Sequence, residues 1–303
     1  MSTQKSLHSS RITIGSFDGL HIGHQTIIHD LVTDAQQSAQ STVLVTFTPN
    51  PLVYFKQIRT PFYLTVDEEK EKLVDHLGVD ETLILPFTKQ LAQTPAEDFT
   101  QMLHERLQFD HLYVGYDFRF GAGRKGDPDL LGRMGHQLGF TVHVQSPITK
   151  NQQPVSSSHI RNLVSNGHLA QVRPLLGHDY LVMGKVIHGD GRGKKIGVPT
   201  ANIETKPEKL LPPHGIYATR IRIGDETRSA AVSIGIRPTF YDRVVPATIE
   251  AHILDWSQDI YGKTISLEFV ERLRDEIQYS GAAALTKQIN KDIQRTREII
   301  EYE

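Results

Sequence analysis

Two stretches of this sequence carry residue types at spacings suited to phosphate chemistry. The first is Arg11 to His24, RITIGSFDGLHIGH. Apolar residues alternate at Ile12 and Ile14, and Gly15 and Gly19 punctuate a tight turn. From Ile22 an amphipathic helix is predicted through Ile27, Ile28, Leu31, Val32 and Ala35. A strand feeding a helix through a glycine-marked turn leaves backbone N–H groups aimed past the sheet edge, where an anion binds. His21 and His24 stand three apart at the helix start, so they share a face from which both reach a phosphate. A Rossmann-like first turn with incidental histidines fits these residues equally well.

The second stretch runs from Gly184 to Asn202, with five glycines and four basic residues. By composition it is a flexible cationic loop followed by a constrained strand start. A nucleic-acid contact is the plain alternative, but the interleaved aromatics of a base-stacking surface are missing. The Gly-x-x-x-x-Gly-Lys-Ser/Thr order is also missing, so the loop is not a P-loop.

The elements that must position these residues fall into two textures. At 303 residues the chain is longer than one core needs, and two domains are expected. Residues 11–180 read as α/β. Strands are expected at Val43 to Phe47, Thr82 to Leu85, His111 to Val114 and Thr141 to Val144. Thr48-Pro49-Asn50-Pro51 is read as a rigid loop at a strand's C-terminal end. Thr65 to Glu68 reads as a capping box opening a helix to about Leu77. Thr94, Pro95 and Glu97 read as N-cap, N1 and N3 of a helix to about Leu107. Leu130 to Leu138 and His168 to Leu176 are expected helices, each closed by a glycine. Alternating strands and helices imply a Rossmann-like domain with a parallel sheet.

Residues 181–303 read as all-β. Strands are expected at Leu181 to Ile187, Ile216 to Ile223, Ser229 to Ile234, Thr248 to Leu254 and Thr264 to Val270, suggesting a β-barrel. Ser280 is read as the cap of a C-terminal helix with Leu285, Ile289 and Ile293 on one stripe.

Composition narrows the function classes. Thirty-three Lys plus Arg against thirty-five Asp plus Glu give a formal charge of −2, so no global field steers the chain to nucleic acid or an anionic membrane. Cysteine is absent, which excludes disulfides, thiol nucleophiles and zinc–thiolate sites and agrees with a reducing compartment. No run reaches membrane-spanning length, and the cytoplasm is the expected location. Small-molecule substrates are the expected partners, with no nucleic acid and no membrane, for a monomer or weak homo-oligomer.

Four segments in this order and spacing resemble the N-terminal nucleotidylyltransferase domain of bifunctional riboflavin kinase/FAD synthetases. They are Gly15 to His24, Phe47-Thr48-Pro49-Asn50-Pro51, Gly115 to Gly121, and Ser156-Ser157-Ser158-His159-Ile160-Arg161. Gly184 to Asn202, ending in Pro199-Thr200-Ala201-Asn202, resembles the flavokinase motif of the same enzymes. The resemblance covers nearly the whole chain apart from the first ten residues and variable loops. It implies two Mg²⁺-dependent reactions with ATP: γ-phosphoryl transfer to riboflavin in a flavokinase-type barrel, then adenylyl transfer to FMN in the first domain, making FAD and pyrophosphate. A riboflavin kinase with a weak or inactive first domain is the alternative.

For the first reaction site, the resemblance implies that His21 and His24 donate to phosphates and that Arg161 clamps the outer ones. Gly15, Phe17, Asp18, Gly23, Asp117, Arg119, Ser156, Ser157 and Ser158 would complete the nucleotide site. Asp18 also reads as a turn residue, and Asp117 and Arg119 as a surface ion pair. FMN brings an ionised phosphate, so positioning and charge stabilisation suffice.

For the second site, the resemblance places Thr200 and Asn202 on Mg²⁺ and folds Gly189, Gly191, Gly193, Lys195 and Gly197 over the nucleotide. Glu250 would be the base that takes the proton of the riboflavin hydroxyl. An alcohol is a poor nucleophile, so a base is useful there. Arg237 and Arg274 would line flavin here, as Asn50 would at the first site, though a barrel-closing ion pair explains either arginine as well. Trp256 and His252 read as packing residues, and Tyr261 as a hairpin feature without a chemical duty. Members of the family the chain resembles usually carry His at the position of Asn50, Asn at those of Ser16 and Ser233, and Thr at that of Ser158.

Overall fold

Five strands, β1 (Ser10–Ile14), β2 (Ser41–Thr48), β3 (Glu81–Pro86), β4 (Phe109–Gly115) and β5 (Thr141–Gln145), form a parallel sheet of order β3-β2-β1-β4-β5. The structure is a computed structural model and describes residues 10–189, 193, 197–235 and 248–301. The chain divides into two compact units, Met1–Arg59 with Lys70–Ser156, and Thr60–Glu69 with Ser157–Glu303.

In the first unit, helices cover both faces of the sheet, which is why its strands are buried on both sides. Ile12, Ile14, Val43, Val45, Leu112 and Val114 pack against α5 (Ala96–Leu107) and α6 (Pro128–Leu138) through Phe99, Leu103, Leu131 and Met134. On the other face Leu44 meets Ile28 of α1 (Ile22–Ser38) and Val74 of α3 (Asp67–His76), together with Phe17 and Leu20. Each such side chain, fully buried, stabilises the fold by roughly 1.5–3 kcal/mol. Since α1 starts where β1 ends, its N-terminus stands at the C-terminal edge of the sheet.

Three local expectations change. Asn50 accepts from the Leu52 N–H at 2.9 Å and, with Pro51 at the first position, starts a short helix, α2 (Pro51–Lys56), where a rigid loop was expected. Helix α3 begins one to two residues late: the Val66 N–H is taken by Glu69, not Glu68. Thr94 closes α4 (Lys89–Gln93) by donating to the Gln90 carbonyl, so α5 starts at Ala96 without a side-chain cap.

The second unit takes α7 (Ser157–Ser165) and α8 (Leu169–Leu176) together with a barrel. A two-residue hairpin, β6 (Thr149–Lys150) and β7 (Gln153–Pro154), precedes them in the chain. The barrel strands are β8 (Tyr180–Ile187), β9 (Ala201–Glu204), β10 (Gly215–Ile223), β11 (Glu226–Gly235), β12 (Thr248–Ile253) and β13 (Thr264–Arg274). They close in the order β10-β11-β12-β9-β8-β13, antiparallel throughout. Strand β9 starts at Ala201, at the end of the glycine-rich stretch where a strand start was expected. Along β12, Ile249, Ala251 and Ile253 are buried inside while Thr248, Glu250 and His252 face out. Helix α9 (Ala282–Glu301) lies against β10, β11 and β13.

Residues 60–69 belong to this unit through a buried ion pair. Lys209 Nζ donates to Glu69 Oε2 at 2.7 Å and to the carbonyls of Leu64 and Leu181, with side-chain exposures of 1% and 0% for the pair. Burial pushes the Glu69 carboxyl up, against the pull of the Lys209 ammonium.

Candidate functional site

In the first unit the turn between β1 and α1 is folded in an unusual backbone conformation. Phe17, Gly19 and Leu20 have φ of 46°, 83° and 42°, and for the two non-glycine residues this left-handed conformation is costly. Such strain is retained where the surrounding structure imposes it. Phe17 is 2% exposed and packs with Leu20 and Ile28, so its side chain is core. Asp18 is 1% exposed.

His21 caps α1: its Nδ1 accepts from the His24 N–H at 3.3 Å, which in the neutral ring leaves Nε2 as the donor. The two imidazoles are stacked, 3.6 Å between centroids and 14° between planes. His24 Nδ1 is buried and has no hydrogen-bond partner among the described residues. Burial, then His21 and Lys70, hold the His24 pKa well below the ordinary imidazole value. A neutral His24 ring carries one N–H donor and no charge. Gly23 passes close to the His21 ring and Gly15 to the Phe17 ring. Lys70, unremarked in the sequence, donates to the Ser16 carbonyl at 3.1 Å.

Other residues expected at this site have different surroundings. Asn50 is 6% exposed and its Oδ1 holds the α2 cap rather than an open position beside a flavin. Asp117 folds back toward Gly115, and Arg119 is exposed, donating to the Phe118 carbonyl. Ser156 ends the first unit. Ser157, Ser158 and Arg161 belong to the second, where the Arg161 guanidinium lies 3.9 Å from the Phe62 ring centroid and donates to the Phe62 carbonyl. A cavity of about 530 Å³ lined by His29, Asp30, Asp34, Tyr113 and His143 contains none of the expected residues. There Tyr113 donates to Asp34, and its pKa is pushed up to about 12, by burial first and then by that carboxylate.

In the second unit the expected groups converge. Thr200 Oγ1 donates to Glu250 Oε2 at 3.2 Å, and Asn202 stands directly across from Glu250 in the β9–β12 register. Ser233 pairs with Glu250 from β11. A Cβ on Gly189 would lie 2.0 Å from the Asn202 amide nitrogen, and one on Gly193 would lie 2.3 Å from the Val198 carbonyl oxygen. Glycine is required at Gly193 by the backbone's close approach, whereas a side chain at Gly189 would displace the Asn202 amide. His252 donates from Nδ1 to the Pro199 carbonyl at 2.8 Å and so braces the residue before Thr200.

Beside Thr200 opens a cavity of about 480 Å³, walled by Val186, Pro199, Ile253, Trp256 and Tyr261. Trp256 and Tyr261, read from the sequence as packing and hairpin residues, thus line this cavity beside Thr200. Their signal was their aromatic type close to β12. Tyr261 stacks on His188, with centroids 3.9 Å apart. Arg274 is not open to a ligand in the same way: its Nε and Nη2 bond the Asp292 carboxylate of α9 at 2.6–3.1 Å, the barrel-closing alternative. Gly191, Lys195 and Arg237 lie outside the described residues, while Gly197 is described, with φ of 78°.

Comparison with known proteins follows the same division. A family model described as FAD synthetase matches residues 3–159, and one described as riboflavin kinase matches residues 176–300. Bifunctional riboflavin kinase/FMN adenylyltransferases of Listeria monocytogenes and Bacillus subtilis are 35% and 33% identical to the chain. Each alignment covers 94% of this chain, and 91% and 90% of the two relatives. A crystal structure from Streptococcus pneumoniae described as a macrolide-efflux protein superposes with a TM-score of 0.85 at 28% identity, covering 96% of this chain and 95% of that one. Among the described residues, no helix is long and apolar enough to cross a membrane.

Proposed function

Because the chain belongs to the bifunctional riboflavin kinase/FMN adenylyltransferase family, we propose that its two reactions are carried by the His21–His24 turn and by the Thr200–Glu250–Asn202 face. The chain phosphorylates riboflavin to FMN with ATP and adenylylates FMN to FAD. The observation that carries the site assignment is the Thr200–Glu250 hydrogen bond with Asn202 opposite.

In the kinase reaction, Glu250 takes the proton of the riboflavin 5′-hydroxyl as that oxygen attacks the γ-phosphorus and ADP leaves. Thr200 and Asn202 offer neutral oxygen ligands beside a carboxylate, a hard donor set suited to Mg²⁺. Donation of the Thr200 hydroxyl proton to Glu250 leaves its lone pairs for a cation. Bound there, Mg²⁺ would supply charge neutralisation on the phosphates. The neighbouring apolar cavity with Trp256 and Tyr261 takes the adenine base.

In the adenylyl reaction, an FMN phosphate oxygen attacks the α-phosphorus and pyrophosphate leaves. No base is needed, and His21 and His24 donate to the charge that develops on the phosphates.

A crossover experiment tests the assignment on the full chain, with each substrate supplied separately. Glu250→Gln is expected to lower FMN formation about a hundredfold and leave FAD formation from supplied FMN intact. His24→Ala is expected to lower FAD formation by about a hundredfold and leave FMN formation intact. Equal loss of both activities in either variant contradicts separate sites.

A further inference from the structure

Lys70 lies in the run Asp67-Glu68-Glu69-Lys70-Glu71-Lys72, which as sequence is a solvated charged face, yet it is 4% exposed. Its ammonium donates to the Ser16 carbonyl at 3.1 Å and to the Thr46 hydroxyl at 3.4 Å. The same hydroxyl donates to the same carbonyl at 3.2 Å. Two buried donors thus converge on one carbonyl of the phosphate turn, although burying an ammonium is costly.

The geometry of the peptide gives that convergence a consequence. The Ser16–Phe17 bond is trans, and in a planar trans peptide the C=O and the following N–H point in opposite directions. Drawing the Ser16 carbonyl toward Lys70 therefore turns the Phe17 N–H away from it. Phe17 holds a left-handed φ of 46°, and its N–H has no acceptor among the described residues. The Phe17 ring stands edge-on to His24, with centroids 5.2 Å apart, so this N–H belongs to the same small turn as the imidazole pair.

We propose that Lys70 is a positioning residue for adenylyl transfer: by holding the Ser16 carbonyl it presents the Phe17 N–H to a substrate phosphate beside His21 and His24. It also gives the turn a positive charge that the His24 ring does not have to carry. The lowered proton affinity of His24 agrees, since Lys70 is one of its causes after burial and His21. The inference rests on the assignment of adenylyl transfer to this turn.

The test uses the full chain and three measurements. Lys70→Met is expected to lower kcat for FAD formation about tenfold or more, with KM for FMN changed less than about threefold. Riboflavin phosphorylation by the same sample reports that the barrel unit is intact and is expected to be unchanged. Lys70→Arg, which keeps a cationic donor, is expected to recover most of the loss. Independently of any variant, inorganic pyrophosphate with Mg²⁺ added to the wild-type chain is expected to shift the Phe17 amide in ¹⁵N-phenylalanine spectra. Lys70→Met with FAD formation within about twofold of wild type overturns the proposal, as does a Phe17 amide that does not move. A wild-type chain that makes no FAD would instead remove the reading beneath it, so the two failures are told apart.

Discussion

The turn over Gly15–His24 gathers two imidazoles and, behind them, a buried ammonium on the Ser16 carbonyl, whereas the barrel face sets a carboxylate against a hydroxyl. The difference follows the nucleophile. FMN arrives ionised and needs to be held and relieved of charge, while riboflavin arrives as an alcohol and needs its proton taken. The two regions also differ in how they are held together. The sheet unit is bound by apolar side chains on both faces of a parallel sheet, whereas the barrel unit closes over a buried Lys209–Glu69 pair. Each contrast can be broken by measurement.

The largest expected effect is on the ion pair. Lys209→Met leaves a carboxylate, a carbonyl of Leu64 and a carbonyl of Leu181 without their common donor. Removing one partner of a buried pair costs about 3–5 kcal/mol, because the remaining charge is uncompensated. Thermal unfolding followed by Trp256, the chain's only tryptophan, should show the barrel transition at a markedly lower temperature. Helices and strands of the first unit should persist through that transition. A variant that unfolds at the wild-type temperature would show that the pair holds nothing.

Next comes the aromatic wall of the barrel cavity. Stacking of a base on an aromatic side chain is worth about 1–3 kcal/mol. Trp256→Ala should therefore raise KM for ATP in FMN formation about tenfold, with little change in kcat. FAD formation uses the other site and should keep its KM for ATP. If both KM values rise together, the two sites are not separate in their nucleotides.

How much of this contrast was legible in sequence depends on distance along the chain. The alternation at Ile12 and Ile14, the stripe through Ile27, Ile28 and Leu31, and the closing glycines Gly139 and Gly177, with φ of 87° and 77°, are local patterns that match the observed elements. The kinase face was readable only through its resemblance to a known motif, because Thr200 and Glu250 meet by β9–β12 pairing across fifty residues. Glu69 and Lys70 were invisible: a run of alternating charges gives no period, and their partners lie far away at Lys209 and Ser16. Asn50-Pro51 carried a helix-start signal, a capping side chain followed by proline, that the pair of prolines masked.

The smallest expected effect separates the two units by the sign of their response to acid. His24 and His143, in the sheet unit, are both held below the ordinary imidazole pKa, each by burial first. Their unfolded forms bind more protons, so their contribution to stability is present above pH 6.5 and is lost as pH falls below it. Glu69, in the barrel unit, is pushed the other way by burial. Its folded form holds the proton more tightly, so its contribution is full below the unfolded value near 4.5 and declines as pH rises through the raised folded value. Each displaced proton is worth at most about 1.4 kcal/mol per pH unit. Urea unfolding at pH 7 and pH 5, read in the barrel by Trp256 fluorescence and in the sheet by exchange of β1 and β4 amides, should move the sheet transition to lower urea on acidification. The barrel transition should hold its place or rise. Transitions that fall together would mean that other groups control both units, and a sheet transition that rises would overturn the assignment of a neutral His24.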